Sequence, residues 1–196
     1  MLELNLPVPS NNLLNYIKNF SLIFPINEIN ISRKEKFEDY NFNLNIAMAS
    51  HPTTDILHEL VANEYGTFFS LHNTEFKVNC LLMQNYGTEL CCVPPHTDIG
   101  RTVAINYVIV NGGTDVETTF YNQYSDDPAG VTASYANLEK VNGYKLNDHK
   151  WYSFDARQYH SVDKIQDTRL VLSISIWDHS FLKFKELYNH LIRREF

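Results

Sequence analysis

Residues 168–177 read Thr-Arg-Leu-Val-Leu-Ser-Ile-Ser-Ile-Trp and carry the clearest strand pattern of the chain. Successive side chains of a β-strand point to opposite faces of its sheet. One face of this strand is entirely aliphatic: Leu170, Leu172, Ile174 and Ile176. The other face is mixed: Arg169, Val171, Ser173, Ser175 and Trp177. The aliphatic face predicts packing against helices, and the mixed face predicts the lining of a barrel interior.

The preceding hundred residues have the same character, with runs of β-formers between turn signals such as Asn111-Gly112-Gly113 and Asn142-Gly143. The candidate strands are 76–84, 90–93, 102–110, 116–121, 131–134, 151–154, 160–165 and 169–177. About eight short strands of this kind predict a jelly roll or a barrel rather than alternating strands and helices.

The two ends of the chain have helical patterns. Ser10 is a candidate N-cap for a helix through Phe20, and Thr53 or Thr54 for a second helix that Gly66 would end. Residues 181–194 predict a short C-terminal helix. We therefore expect one domain over residues 1–196. Its parts are a helical support region (1–75), a β core (76–178) and a C-terminal helix (179–196).

Composition excludes some classes of function. The formal net charge of -7 and the lack of a basic stripe disfavour nucleic-acid binding. The three cysteines, two of them adjacent, match neither a disulfide framework nor a structural zinc site. The chain shows no signal-peptide pattern and no apolar run of ~18 residues. We therefore expect a cytoplasmic protein that does not span a membrane.

The segment Pro94-Pro95-His96-Thr97-Asp98-Ile99-Gly100-Arg101 predicts a metal site. In an extended chain His96 and Asp98 point to the same side and can converge on one ion. A second histidine, His160, follows in the strand-like stretch 151–162. Two histidines and one carboxylate on one face leave positions open on an octahedral iron, which is typical of non-haem Fe(II) oxygenases.

Arg169 adds a second expectation. An arginine on an interior strand face is costly unless it has an anionic partner. A carboxylate fits the guanidinium fork best. Arg101 has two open interpretations, which are pairing with a surface acid and facing the substrate.

These motifs together resemble the 2-oxoglutarate/Fe(II) oxygenase superfamily. The spacing of nine residues between His160 and Arg169, and the ending R-x-x-x-S-I-S-I-W, are most similar to its prolyl-hydroxylase-like branch. The Gly112-Gly113 turn before Glu117–Phe120, and the strand from Trp151 to Phe154, also resemble that branch. The resemblance covers about residues 76–178.

The resemblance implies a mainly β, double-stranded β-helix (a cupin-like jelly roll) with supporting N-terminal helices. It implies Fe(II) held by His96, Asp98 and His160, and 2-oxoglutarate held at its distal carboxylate by Arg169. Tyr86, and either Asn106 or Tyr107, are further candidates for contact with 2-oxoglutarate. The implied reaction uses O₂ to hydroxylate a peptide, prolyl or otherwise, or a small molecule, and releases succinate and CO₂.

Other functions stay open at this stage. One alternative is a cupin-like metal-binding protein without oxygenase activity, such as an isomerase or a sensor, although such a protein has no need of Arg169. Nucleic-acid demethylation also occurs in the superfamily, but the acidic composition disfavours it. The long polar segment 122–150 is a candidate for covering the substrate.

Overall fold

The structure is a computed structural model that describes residues 1–23, 44–48, 53–71, 76–85, 90–177 and 180–192. The strands are β1 (Leu2–Leu4), β2 (Leu44–Met48), β3 (Phe76–Asn85), β4 (Cys91–His96), β5 (Val103–Asn111), β6 (Glu117–Tyr124), β7 (Lys140–Tyr144), β8 (Lys150–Asp155), β9 (Gln158–Ile165) and β10 (Arg169–Ile176). The helices are α1 (Asn11–Ile23), α2 (Thr53–Leu71) and α3 (Phe181–Ile192), with a 3₁₀ turn at Tyr135–Asn137.

The strands form two antiparallel sheets. The major sheet has six strands in the order β1-β8-β5-β10-β3-β2, and the minor sheet has four in the order β4-β9-β6-β7. Side chains from both sheets line one cavity between them. The predicted fold class, a mainly β double-stranded β-helix with supporting N-terminal helices, is confirmed.

The main hydrophobic core lies between the helices and the outer face of the major sheet. The aliphatic face of β10 belongs to this core, as predicted, and packs with α1 and α2 side chains such as Leu13, Ile17, Leu57 and Val61. Ser10 caps α1 as predicted, because its Oγ accepts a hydrogen bond from the Leu13 amide at 3.2 Å. The helices therefore cover one face of the major sheet and leave its other face to the cavity.

Three expectations about elements differ from the structure. Gly66 does not end α2, which continues to Leu71 because tertiary packing of Phe69 outweighs the weak helix propensity of one glycine. Residues 131–134 form one isolated bridge, between Thr132 and His96, rather than a strand. The region 1–75 also supplies two edge strands, β1 and β2, in addition to helices.

None of the described helices is both long enough and apolar enough to cross a membrane.

Candidate metal centre

The pairing of β4 with β9 brings the two candidate histidine ligands together. His96 and His160 are direct cross-strand partners in the minor sheet, so their side chains leave the sheet on the same face. Their ring centroids are 4.5 Å apart. Asp98 follows two residues after His96, and ligand atoms of all three side chains lie within 4.8 Å of one another. The predicted set is therefore assembled on one side of the cavity.

Each histidine has one ring nitrogen fixed by a backbone carbonyl. Nδ1 of His96 lies 2.8 Å from the Pro94 carbonyl oxygen, and Nδ1 of His160 lies 2.9 Å from that of Gln158. A carbonyl only accepts, so Nδ1 carries the proton and Nε2 keeps its lone pair. The two Nε2 atoms lie 3.6 Å from the Asp98 carboxylate oxygens. This tautomer is the one that metal binding through Nε2 requires.

A loop after β4 holds Asp98 in place. The Asp98 amide donates to the Ala156 carbonyl at 2.9 Å, and the Thr97 amide donates to the Val131 carbonyl at 2.8 Å. In return, the Val131 amide donates to Thr97 Oγ1 at 2.9 Å. These bonds fasten the loop between the β8–β9 turn and the segment after β6. The backbone of Asp98 is therefore held in place by hydrogen bonds, although the residue lies outside regular secondary structure.

Arg101 is a site residue whose role the sequence alone did not decide. Its Nη2 lies 2.8 Å from Asp98 Oδ2, so its partner is the candidate metal ligand and not a surface acid. Burial alone would raise the pKa of Asp98, but the charge of Arg101, with His160 and His96, holds that pKa well below its usual range. Asp98 is thus ionised, as a metal ligand must be. The three-residue spacing from Asp98 to Arg101 is compatible with this pair but does not predict it.

The surroundings of His160 keep its imidazole neutral. Burial, followed by the charge of His96, lowers the pKa of His160 to about 4. Phe120 and Phe154 pack against its ring, with centroids at 5.9 and 4.9 Å. A neutral, oriented imidazole is available to a metal ion over most of the physiological pH range.

The triad opens into a cavity of about 290 Å³, near the lower limit of volumes typical of small-molecule sites. Its described lining comprises Asn79, Leu81, Met83, Val93, His96, Asp98, Ile99, Arg101, Asn106, Thr118, Leu146, Phe154, His160, Val162, Arg169, Val171 and Ser175. Asp98 is the only acidic side chain in that described lining, which also contains two arginines.

Arg169 lines the same cavity from the first position of β10. It is only 4% exposed, and burial lowers its pKa to about 10, although Asp148 acts in the opposite direction. Its Nη1 donates to the Asn111 backbone carbonyl at 3.0 Å and to the Asn111 side-chain oxygen. Its Nε is buried without a hydrogen-bond partner. No carboxylate of the described residues forms an ion pair with this buried cation, although Asp148 acts on it from further away, and an anionic ligand would supply that partner.

The Gly112-Gly113 turn explains how Arg169 is held. Gly112 has φ +89°, and a Cβ there would lie 2.9 Å from Arg169 Cβ and 3.4 Å from Arg169 Cα. Only glycine combines that backbone conformation with such close contact. The neighbouring Asn111 accepts hydrogen bonds from Arg169, and its backbone N–H donates to Asp148 Oδ1 at 2.8 Å. The turn therefore packs against the arginine and positions its acceptor.

The remaining candidates for contact with 2-oxoglutarate have different placements. Asn106 lines the cavity, and its Oδ1 accepts a hydrogen bond from Ser173 at 2.7 Å. The expectation for Tyr107 is corrected, because this next residue of β5 points to the other face and is buried beside Trp151 in the helix-covered core. Tyr86 lies outside the described residues.

The segment 122–150 contributes to the cavity and to the loop that carries Asp98. Leu146 lines the cavity, and the Gly100 amide donates to the Pro128 carbonyl at 2.9 Å. Gly130, at φ +67°, lies so close to the loop that a Cβ would be 2.8 Å from the Thr97 carbonyl oxygen. Sequence reasoning did not identify Gly130 as a site residue. Part of this segment thus packs against the loop of the candidate metal centre.

Comparison with known proteins gives a likeness of fold. No protein-family model matches the chain, and no curated protein matches it by sequence. Among solved structures, the epimerase SnoN in complex with Fe³⁺, alpha ketoglutarate and nogalamycin RO aligns with a TM-score of 0.51 and 13% identity, over 88% of this chain and 77% of SnoN.

Two further structures align less well. A prolyl hydroxylase from Trichoplax adhaerens, in complex with a hypoxia inducible factor peptide fragment, has a TM-score of 0.49 and 14% identity over 88% of this chain and 79% of its own. A 2OG-Fe(II) oxygenase family oxidoreductase from Burkholderia pseudomallei has a TM-score of 0.47 and 10% identity over 92% and 97%. The likeness to SnoN shows that this chain shares the double-stranded β-helix fold of a non-haem, alpha ketoglutarate-dependent protein.

Proposed function

We propose that the protein is an Fe(II)- and 2-oxoglutarate-dependent dioxygenase that hydroxylates a peptide or a small molecule. The proposal rests on one observation: a candidate metal-binding triad shares a cavity with a buried arginine whose Nε has no hydrogen-bond partner. The triad alone fits many metalloproteins. An interior guanidinium in the same cavity fits a co-substrate that has both a metal-binding end and a distal carboxylate.

The residues present fit an iron ion on chemical grounds. His96, Asp98 and His160 offer two nitrogen donors and one oxygen donor from the same side, which is the donor set of non-haem Fe(II) sites with open positions. Asp98 Oδ2 has no hydrogen bond of normal geometry despite the nearby Arg101. That oxygen can therefore turn to a metal without losing a well-formed bond. When bound, the metal and 2-oxoglutarate supply the oxidising chemistry.

The chain's own residues would bind and orient 2-oxoglutarate and would keep water out of the site. Arg169 would hold the distal carboxylate of 2-oxoglutarate, and the Asn111–Gly112 turn would keep the guanidinium in place. Apolar side chains such as Val93, Val162 and Phe154 would keep bulk water from the reacting centre. SnoN, which shares the fold, is described with Fe³⁺ and alpha ketoglutarate, so the fold is compatible with both.

The alternative, a cupin-like metalloprotein without oxygenase activity, has no use for Arg169 in the cavity. Epimerisation is a second outcome that the same cofactors allow, because SnoN is an epimerase. Product analysis separates it from hydroxylation, since only hydroxylation adds an oxygen atom to the substrate.

The direct test is formation of succinate from 2-oxoglutarate by protein reconstituted with Fe(II) in air. We expect slow turnover without a second substrate, loss of turnover in His160→Ala, and unchanged turnover in Arg157→Gln. Arg157 is the matched control because it pairs with Asp155 and Asp126 and does not line the cavity. Iron-loaded protein that makes no more succinate than metal-free protein would contradict the proposal.

A further inference from the structure

Arg101 brings a second guanidinium into the cavity, beside the triad. Its side chain is 10% exposed and contacts Asp98 through Nη2. Its Nη1 donates to Ser173 Oγ at 2.7 Å and to Ser175 Oγ at 3.2 Å. Both hydroxyls are neutral. Among the described residues, Asp98 is therefore the one anion within ion-pair distance of Arg101, and Asp98 is also a candidate metal ligand.

The charges of the filled site do not balance. The described lining supplies two guanidinium groups, from Arg101 and Arg169, and one carboxylate, from Asp98. Fe(II) adds two positive charges, and 2-oxoglutarate adds two negative charges. Within this lining one positive charge is left over, although Asp148 partly offsets Arg169 from outside it, and an uncompensated buried charge is costly. The metal also competes with Arg101 for the Asp98 carboxylate, so the surplus lies at Arg101.

The two arginines serve separate parts of the cavity. Arg169 begins β10, whereas the serines that hold Arg101 lie four and six residues further along the strand. At ~3.3 Å per residue, these positions are roughly 13 and 20 Å from Arg169 along the backbone. The distal carboxylate of a 2-oxoglutarate molecule held by Arg169 therefore lies away from Arg101.

We infer that Arg101 binds a carboxylate of the primary substrate next to the metal, and that the substrate is therefore a carboxylic acid. A guanidinium recognises a carboxylate through paired N–H donors, and the two serines hold Arg101 in a fixed orientation for this contact. In the absence of metal and substrate, Asp98 takes the place of that carboxylate. The inference rests on the proposed function and names its substrate class.

A carboxylate can come from a free small acid or from an acidic residue of a peptide. The experiment therefore has two arms, both with protein loaded anaerobically with Fe(II) and 2-oxoglutarate so that no turnover occurs. One arm titrates free L-amino acids and simple monocarboxylic acids, each against its carboxamide. The other titrates end-blocked tripeptides with a central Glu or Asp, each against its Gln or Asn counterpart. Binding is measured by calorimetry.

We expect at least one acid to bind at least about tenfold more tightly than its amide. Arg101→Gln should weaken that acid by roughly 10- to 100-fold, as expected for a lost hydrogen-bonded charge, and leave its amide almost unaffected. Arg101→Lys should restore part of the preference, because it keeps the charge and loses the fork. Arg157→Gln should match the unmodified protein. The affinity for 2-oxoglutarate should change by less than about threefold in all variants.

Two results would overturn the inference alone. One is that no acid in either arm is preferred to its amide. The other is that Arg101→Gln keeps the preference, including the case in which it only lowers iron content, because Arg101 would then merely position Asp98. Failure of the unmodified protein to bind 2-oxoglutarate in a metal-dependent way would overturn the proposed function itself, and the inference with it.

Discussion

Individual side chains in this site use one polar atom for a hydrogen bond to the protein and keep another polar atom for a ligand. His96 and His160 each donate from Nδ1 to a carbonyl two residues earlier, which leaves Nε2 able to bind a metal ion. Arg169 gives Nη1 to Asn111, and its Nε has no partner. The resemblance implied His160 as the third member of the set, and strand spacing predicted that His96 and Asp98 would point to the same side. Spacing could not predict the partner of Arg101, since that depends on the path of the loop after Asp98.

Replacing Arg169 with leucine should separate co-substrate binding from metal binding. Loss of one member of a buried charge pair costs ~3–5 kcal/mol, which corresponds to a loss of roughly 10²–10⁴ in affinity for 2-oxoglutarate. Iron content should stay stoichiometric, and the melting temperature of the metal-free protein should change little, because an underpartnered buried cation is removed. Calorimetric titration measures the affinity. An affinity close to that of the unmodified protein would refute the role of Arg169.

The low pKa of His160 should appear in the stability of the metal-free protein. The unfolded chain binds this proton near pH 6.5, whereas folded His160 stays neutral down to about pH 4. Protons therefore favour the unfolded state as the pH falls through this window, and stability should drop by about 3 kcal/mol. Denaturant unfolding between about pH 7 and about pH 4 measures the drop, because this range spans the pKa of roughly 6.5 in the unfolded chain and the pKa of about 4 in the folded protein.

His160→Gln should remove most of that pH dependence. His149→Asn is the control, because His149 is exposed and asparagine tolerates its positive φ of 61°. An equal slope in the His160→Gln and unmodified proteins would show that His160 is not held neutral by burial.

At the scale of elements, alternation of apolar and polar residues predicted the strands that have a buried face. β10 is buried throughout, β5 and β8 are buried over most of their length, and all three were found close to their predicted bounds. β7 was not predicted, because most of its residues are exposed and it contains Gly143 rather than an apolar stripe. Edge strands β1 and β2 were also missed, since their formation depends on pairing with β8 and β3 and not on local pattern.

Gly130→Ala should show whether the segment after β6 supports the loop that carries Asp98. The φ of +67° is unfavourable for alanine, and the new Cβ would meet the Thr97 carbonyl oxygen at 2.8 Å and Ile99 Cγ1 at 2.9 Å. We expect a loss of about 1–3 kcal/mol in stability and faster iron release, because the loop that carries Asp98 must shift. Chemical unfolding and the rate of iron transfer to a chelator measure the two effects.

Gly66→Ala is the matched control for this change. Gly66 lies inside α2 with nothing within 4 Å of the added Cβ. Alanine there should raise stability by up to about 1 kcal/mol and leave iron release unchanged. If Gly130→Ala behaves like Gly66→Ala, the segment does not hold the loop.

At the scale of the whole molecule, we propose that residues 1–196 form one cooperative domain. The helices and the major sheet share a single core, in which Ile17 of α1 is fully buried. Ile17→Ala should cost ~2–5 kcal/mol and shift one common transition seen by circular dichroism and by tryptophan fluorescence. Leu182→Ala, at a position that is 66% exposed, should change stability by less than about 0.5 kcal/mol. Separate transitions for the two probes would contradict a single domain.

The central claim is that His96, Asp98 and His160 hold an Fe(II) ion to which 2-oxoglutarate binds. Its most direct test is an anaerobic titration of the Fe(II)-loaded protein with 2-oxoglutarate, followed by visible absorption. We predict a saturable metal-to-ligand absorption band from protein that holds one equivalent of iron. His160→Ala should lack both the iron and the band, and excess 2-oxoglutarate should restore neither. Stoichiometric iron and the same band in His160→Ala, or no band in the iron-loaded unmodified protein, would contradict the account.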